Sequence, residues 1–403
     1  MKEILKKILP KFLLDFYHFI LAFLGALIYG FPSKKLILIG VTGTNGKTTT
    51  TEMIASIFEK AGKKIALSNS VRFKIKDKEE INKLRMTMPG RFFLQKFLKK
   101  AVKEGCEYAI VEITSEGIKQ HRHRFLDFKV AVFTNLSPEH IEAHGSFEKY
   151  REAKGKLFLA TKDIHVINVE DENSSYYLQF PAKKKITYGI KNGEINLENT
   201  KVKLKIPGQF NLYNALAAIS VAMSQGIEKN FATKVLEEFS GIPGRMEEII
   251  SEPFKVIVDY AFTPNALEKV YQTVSQFKAT KENKLVCVLG AAGGGRDKWK
   301  RPVLGELAAK YCDEVIVTNE DPYDEDPLKI IEEVASGTKG IARKILDRRE
   351  AIRNSLKLAK KGDVVIITGK GCEPSIVIKD KKIPWDDRKV VIEEFKKIER
   401  GNF

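Results

Sequence analysis

Residues 40–51, GVTGTNGKTTTT, limit the fold of this chain more than any other stretch. They follow an apolar run at residues 36–41 (LILIGV) and precede a helical pattern from Lys47 to about residue 61. A strand, a glycine-rich turn and a helix in that order form the setting a phosphate-binding loop requires. Glycines let backbone N–H groups face phosphate oxygens, and the helix N-terminus adds a favourable dipole. Gly43, Thr44, Asn45, Gly46 and Thr49 are therefore expected to line a nucleotide. Lys47 would neutralise its β- and γ-phosphates, and Thr48 would hold Mg²⁺. The glycines fall at 40, 43 and 46, a departure from strict Walker spacing. The cofactors expected are ATP and Mg²⁺.

Further apolar runs at residues 108–113, 130–135 and 166–169 read as buried parallel strands alternating with helices. Residues 210–224 read as a helix. The turn-rich stretch GIPGR at 241–245 reads as a domain linker. Strands recur beyond it at 254–259, 284–290, 314–318 and 363–368. The fold expected is α/β: a central P-loop parallel-sheet domain (35–243), then a Rossmann-like α/β domain (244–403). A hydrophobic helical segment (1–34) precedes them. The 403 residues suffice for two or three domains.

Net charge is +17, which suits an anionic partner, although most lysines read as a solvated surface. No basic–aromatic pattern points to nucleic acid. None of the four cysteines forms a C-x-x-C pair; Cys106 and Cys287 lie in apolar surroundings and read as core. Residues 12–31 (FLLDFYHFILAFLGALIYGF) are long enough to reach across a bilayer, but Asp15 and His18 interrupt them. An interfacial helix on the cytoplasmic leaflet is the first expectation. A helix packed on the protein is the second, and a transmembrane span the third.

The run GTNGKTT at 43–49 resembles the Mur ligase superfamily, and further motifs follow in that family's order. They are VEITS at 111–115, QHR at 120–122, TNLSPEH at 134–140, YREAK at 150–154 and GQFNLYN at 208–214. Then come GRME at 244–247, VDYAFTP at 258–264, GGGRDKWKRP at 293–302 and GKGCE at 369–373. The last two runs resemble the MurE-like branch, which adds the third residue of the peptidoglycan stem peptide. The resemblance implies an ATP-dependent, ADP-forming ligase of cell-wall biosynthesis that joins an amino acid to a muropeptide-type carboxylate through an acyl phosphate.

Residue by residue, the resemblance makes Glu112 and His140 ligands of Mg²⁺ beside Thr48, and Lys154 a carbamylated, metal-facing lysine. Read without it, His140 is a locally bonded helix-start residue and Lys154 a solvated helix lysine. Arg245 is expected on the ATP phosphates, Asn211 and Asn214 near the adenine, and Asp259 and Asp347 near the nucleotide. Lys47, Lys154, Glu112 and His140 form the expected catalytic set. Thr87, Thr114 and Arg122 match acceptor-binding positions; Arg296, Asp321, Gly369 and Glu373 match those for the incoming amino acid. Where diaminopimelate-adding members carry D-N-P-R, this chain has Glu320-Asp321-Pro322-Tyr323. The arginine that would grip a distal carboxylate is missing, and Glu320 and Asp321 would favour a distal amine, so lysine, ornithine or another non-diaminopimelate substrate is expected. Only about 35 residues precede the first strand, too few for the uridine-nucleotide domain with which MurE-type ligases begin. The acceptor is therefore expected to be either the soluble nucleotide precursor or a lipid-linked one, with the enzyme cytoplasmic and peripheral at the inner membrane face. The alternatives are a poly-γ-glutamate or folylpolyglutamate synthase-like ligase, and a non-catalytic nucleotide-binding partner at the membrane.

Overall fold

The computed structural model describes residues 10–401. They divide into two compact units. The first holds the described residues up to Ser137, with Ser146–Lys205 and Phe210–Phe239. The second holds Pro138–Gly145, Ile206–Gln209 and the chain from Ser240 onward. Two corrections to the expected boundaries follow. The described part of the N-terminal segment folds with the first unit, because its helix packs along a neighbouring one. The stretches 138–145 and 206–209, expected in the central domain, group with the second unit.

The first unit is built on an eight-stranded sheet in the order β4-β3-β2-β5-β1-β6-β7-β8. Its centre is β1 (Ile37–Thr42), flanked in parallel by β5 (Tyr108–Glu112) and β6 (Phe128–Phe133). β2 (Ile65–Ser68), β7 (Ile164–Asn168) and β8 (Lys184–Tyr188) extend it in parallel. β3 (Arg72–Ile75) and β4 (Lys78–Ile81) close one edge in antiparallel fashion. The central strands are covered on both faces, which is why they read as unbroken apolar runs. The longer helices are α1 (Lys11–Tyr29), α2 (Lys47–Lys60), α3 (Arg91–Lys103), α4 (Phe147–Ala160), α5 (Gln209–Ser224) and α6 (Lys229–Glu237). Gly30, in the left-handed region at φ 72°, ends α1 and turns the chain toward β1.

The second unit has a six-stranded sheet, β13-β12-β11-β14-β10-β9. β10 (Lys255–Val258), β14 (Val364–Ile367), β11 (Leu285–Leu289), β12 (Glu314–Thr318) and β13 (Arg343–Ile345) run parallel; β9 (Glu247–Ile250) is an antiparallel edge. Helices α7 (Pro264–Val274), α8 (Lys300–Tyr311), α9 (Pro327–Ala335), α10 (Arg348–Leu358) and α11 (Asp387–Glu399) accompany it. A hairpin, β15 (Ser375–Ile378) with β16 (Lys381–Pro384), stands apart. The doubly wound layout places the C-terminal strand ends, where such sheets bind ligands, at residues 259–263, 290–298, 319–323 and 368–373.

Candidate active site

In the first unit the loop after β1 closes against the loop after β6. Thr44 N donates to Asn135 O at 2.8 Å, and Asn45 N donates to Asn135 Oδ1 at 3.0 Å. Thr134 Oγ1 donates to Asn45 O at 2.7 Å. The approach is so close that a Cβ on Gly43 would lie 1.9 Å from Thr134 Oγ1. Gly46, at φ 82°, opens α2, and a Cβ there would lie 2.3 Å from Asn214 Oδ1. The two glycines are therefore required by space and by backbone angle. Asn214 also accepts from Thr50 Oγ1 and donates to Asn211 Oδ1. The pair expected near the adenine thus braces the start of α2.

Two cations meet on the loop. Lys47 Nζ donates to Gly43 O at 3.1 Å and Thr44 O at 2.9 Å. Lys154, buried on α4, donates to the same Gly43 carbonyl at 2.7 Å. Its ammonium lies 4.6 Å from the centre of the Tyr150 ring, whose hydroxyl is 3.0 Å from Thr44 Oγ1. Lys154 is not a solvated helix lysine. It is buried at the loop, with its ammonium on the Gly43 carbonyl.

A chain of oxygens runs beside these cations. Ser70 Oγ donates to Glu112 Oε2 at 2.8 Å, lies 3.0 Å from Thr87 Oγ1 and accepts from Thr48 Oγ1 at 3.5 Å. Sequence reasoning missed Ser70, Thr134 and Asn135; the last two lie within the TNLSPEH run and carried the signal, whereas Ser70 had none. Among the described residues no three His, Cys, Asp or Glu side chains converge on one point. Thr48 and Glu112 are linked through Ser70, while His140 belongs to the second unit. Thr48, Ser70 and Glu112 supply the hard oxygens that suit Mg²⁺, which keeps several of its positions for water and phosphate.

Thr114 caps the turn Ser115–Lys119 by accepting from Gly117 N. Arg122 donates to Met88 O, and to Gln120 Oε1 at 2.7 Å, and burial lowers its pKa. Its guanidinium is thus held in place by the 86–88 and 120–122 segments.

In the second unit, the segment carrying His140 is fastened to the loop carrying Arg296. Asp297 accepts from Ile141 N and Glu142 N at 3.1 and 3.0 Å, and Lys298 N donates to Glu142. Lys300 and Glu139, both almost wholly buried, form an ion pair at 2.7 Å. Burial raises the pKa of Glu139 although Lys300 opposes the shift. His140 itself has φ 56°, an uncommon conformation for a non-glycine residue. The Glu-His sequence, where the family usually has Asp-His, thus has a partner in Lys300. Lys300→Met is expected to destabilise the second unit by about 3–5 kcal/mol, since it strands a buried carboxylate. Denaturant unfolding measures this, and Glu139→Gln combined with Lys300→Met should recover much of the loss.

Arg245 stacks 4.0 Å from the centre of the Tyr260 ring, and the Tyr260 hydroxyl donates to Glu373 Oε1 at 2.9 Å. Asp259 accepts from Met246 N and Ala261 N, so it shapes the Arg245 turn. Burial raises its pKa while Arg245 opposes the rise. Asp347 caps α10 through Glu350 N at 2.7 Å, which accounts for its position without a nucleotide. Lys370, fully buried, donates to Asp321 Oδ2 at 2.8 Å and Glu373 Oε2 at 2.5 Å. Asp321 also accepts from Val377 N. Gly369 (φ 103°) packs against Glu320. Burial raises the Cys372 thiol.

These contacts correct the expectation that Glu320 and Asp321 would meet a distal amine. Asp321 is turned inward onto Lys370. Glu320 is buried, and burial and the neighbouring Asp321 push its pKa to about 7. A carboxyl raised from its unfolded value near 4.5 stabilises the fold fully below that value, and the contribution is lost as pH rises through 7. Glu320→Gln should therefore be more stable than the parent chain at pH 8 and lose the advantage at pH 4.5. Thermal unfolding at the two pH values measures the difference.

The Mur ligase middle domain matches residues 41–222, and the Mur ligase glutamate ligase domain matches residues 244–371. The chain belongs to the Mur ligase family. It is 38% identical to the UDP-N-acetylmuramoyl-L-alanyl-D-glutamate–2,6-diaminopimelate ligase of Syntrophomonas wolfei, over 93% of this chain and 81% of that protein. It is 35% identical to the UDP-N-acetylmuramyl-tripeptide synthetase of Roseiflexus, over 91% and 80%. A solved structure of a UDP-N-acetylmuramoyl-L-alanyl-D-glutamate–2,6-diaminopimelate ligase superposes with a TM-score of 0.58 at 30% identity, covering 90% of this chain and 79% of that one. This Mur ligase is an ATP-dependent amide-bond-forming enzyme, as the resemblance of its motifs implied.

Proposed function

We propose that this Mur ligase activates the carboxylate of a muramoyl-peptide acceptor with ATP and Mg²⁺ and joins it to an amino acid. The observation that carries this reading is the convergence of Lys47 and Lys154 on the Gly43 carbonyl, in a loop whose neighbour is the Thr48–Ser70–Glu112 chain. The reaction brings two anions together, so it needs cations placed where their charge meets. Lys47 provides one in the first unit, and Arg245 provides one in the second; Lys154, carbamylated as the resemblance implies, would turn a carboxylate toward the metal instead. Bound Mg²⁺ would supply further neutralisation of the phosphate charge, held by Thr48, Ser70 and Glu112. Arg122, with its side chain already fixed, would clamp an acidic group of the acceptor. Glu373, oriented by Lys370 and Tyr260, would receive the ammonium of the incoming amino acid.

Tyr323 favours an amino acid without a distal carboxylate, because a phenol cannot replace the bidentate grip of arginine. Lysine or ornithine is the first reading. Diaminopimelate is the second, favoured by the names of the relatives. Amino-acid-dependent ADP release over a panel of the three, with a UDP-muramoyl dipeptide and a lipid-linked one as acceptors, decides among them. Faster turnover with diaminopimelate than with lysine overturns the first reading. The enzyme works where ATP is abundant, in the cytoplasm, with the outward face of α1 on the inner membrane surface.

A further inference from the structure

One face of α1 is built into the first unit. Ala22 and Ala26 are fully buried, Arg91 donates to His18 Nδ1 at 2.9 Å, and His121 pairs with Asp15 at 2.8 Å. Phe19 packs edge-on against Phe125. The opposite face is an apolar stripe open to solvent. Phe12 is 70% exposed, Phe16 60%, Leu27 53% and Ile28 61%. A helix fastened along one side and apolar on the other suits the plane of an interface better than a span across it.

At the C-terminal end of this stripe lies a cavity of about 640 Å³. Tyr29, Phe73, Phe93 and Phe97 line its apolar part. Lys96, Lys99, Lys100 and Lys103, spaced along one exposed face of α3, line its edge with Lys74 and Lys78 of the β3–β4 hairpin. The acids there are Glu79, Glu80 and Glu104; Glu79 is paired with Arg72, and Lys74 with Glu59. Cations therefore outnumber acids around an aromatic pocket. No step of the ligase reaction uses any of these residues.

We propose that this cavity binds an anionic phospholipid, its phosphate on the α3 lysines and the start of its acyl chains against Phe73, Phe93 and Phe97. The apolar stripe of α1, continuous with the cavity at Tyr29, makes a bilayer the source of that lipid. The proposal takes the lipid's source, though not the pocket itself, from the membrane-surface reading of α1. Adjacent lysines near an anionic surface each contribute severalfold in affinity.

The test is titration of the full chain with short-chain phosphatidylglycerol below its micellar concentration, against short-chain phosphatidylcholine and glycerol phosphate. Phosphatidylglycerol should bind at least about tenfold more tightly than either comparator, and Lys99→Gln with Lys100→Gln should weaken it about tenfold or more while leaving ATP turnover unchanged. Equal binding of the two lipids, equal binding of glycerol phosphate, or an unaffected double variant overturns the pocket. A second arm floats the protein on phosphatidylglycerol vesicles. Phe16→Ser with Leu27→Ser should abolish flotation while short-chain binding persists. Unchanged flotation of that variant overturns the membrane reading of α1 and leaves the pocket result standing by itself.

Discussion

Lys47→Ala is expected to lower amino-acid-dependent ADP release by about 10²–10³-fold, the cost of removing one group placed where transition-state charge develops. Lys47 is half-buried at the start of α2, and its Nζ rests on the Gly43 and Thr44 carbonyls. A nucleotide phosphate offers full negative charge where those carbonyls offer only dipoles, so the ammonium has an electrostatic reason to move to it. The fold depends little on this side chain, since the Asn135, Thr134 and Asn214 contacts hold the loop independently. Stability should therefore change by no more than about 0.5 kcal/mol. Steady-state ADP release together with denaturant unfolding separates loss of chemistry from loss of structure. A variant with both activity and stability intact would remove Lys47 from the site.

Lys370→Met should have the largest effect on stability of any single change near the amino-acid site. Its ammonium is fully buried between Asp321 and Glu373, and Asp321 is itself buried. Removing the cation leaves a buried carboxylate that still accepts from Val377 N but has lost its ion pair. Breaking a buried pair in this way costs about 3–5 kcal/mol. Glu373 also loses the contact that orients it, so KM for the amino acid should rise in whatever fraction still folds. Asp321→Asn in the same background should return part of the stability without returning the KM. Urea unfolding of the single and double variants, with KM measured below the transition, checks both expectations.

The central strands were legible because they are buried on both faces: LILIGV and LVCVL cannot be read as surface. The edges were not. β4 (KEEI) and β16 (KKIP) are wholly exposed, and β13 (RKI) nearly so, and they carry no apolar run to mark them. β4 and β16 are each held by the hairpin strand just before them and β13 by the more distant β12, so backbone pairing rather than an apolar face fixes them. The phosphate loop was legible for a similar local reason, since strand, glycines and helix follow one another without a break between Ile37 and Lys60. Lys154 was not, because nothing in EKYREAKGKLF shows that α4 turns its lysine inward to Gly43. Only the resemblance to other ligases singled it out. The Glu139–Lys300 and Asp321–Lys370 pairs were hidden for the same reason: each joins residues far apart in the chain, and the second takes a carboxylate that the sequence seemed to offer to a substrate.

The most direct test of acyl-phosphate ligation follows one oxygen atom. An acceptor labelled with ¹⁸O in its reacting carboxylate is turned over with ATP and the preferred amino acid, and the released phosphate is analysed by mass spectrometry. Attack of the carboxylate on the γ-phosphate, followed by attack of the amine on the carbonyl, carries one ¹⁸O into each inorganic phosphate formed. Phosphate free of label, with amide product accumulating, would contradict the account.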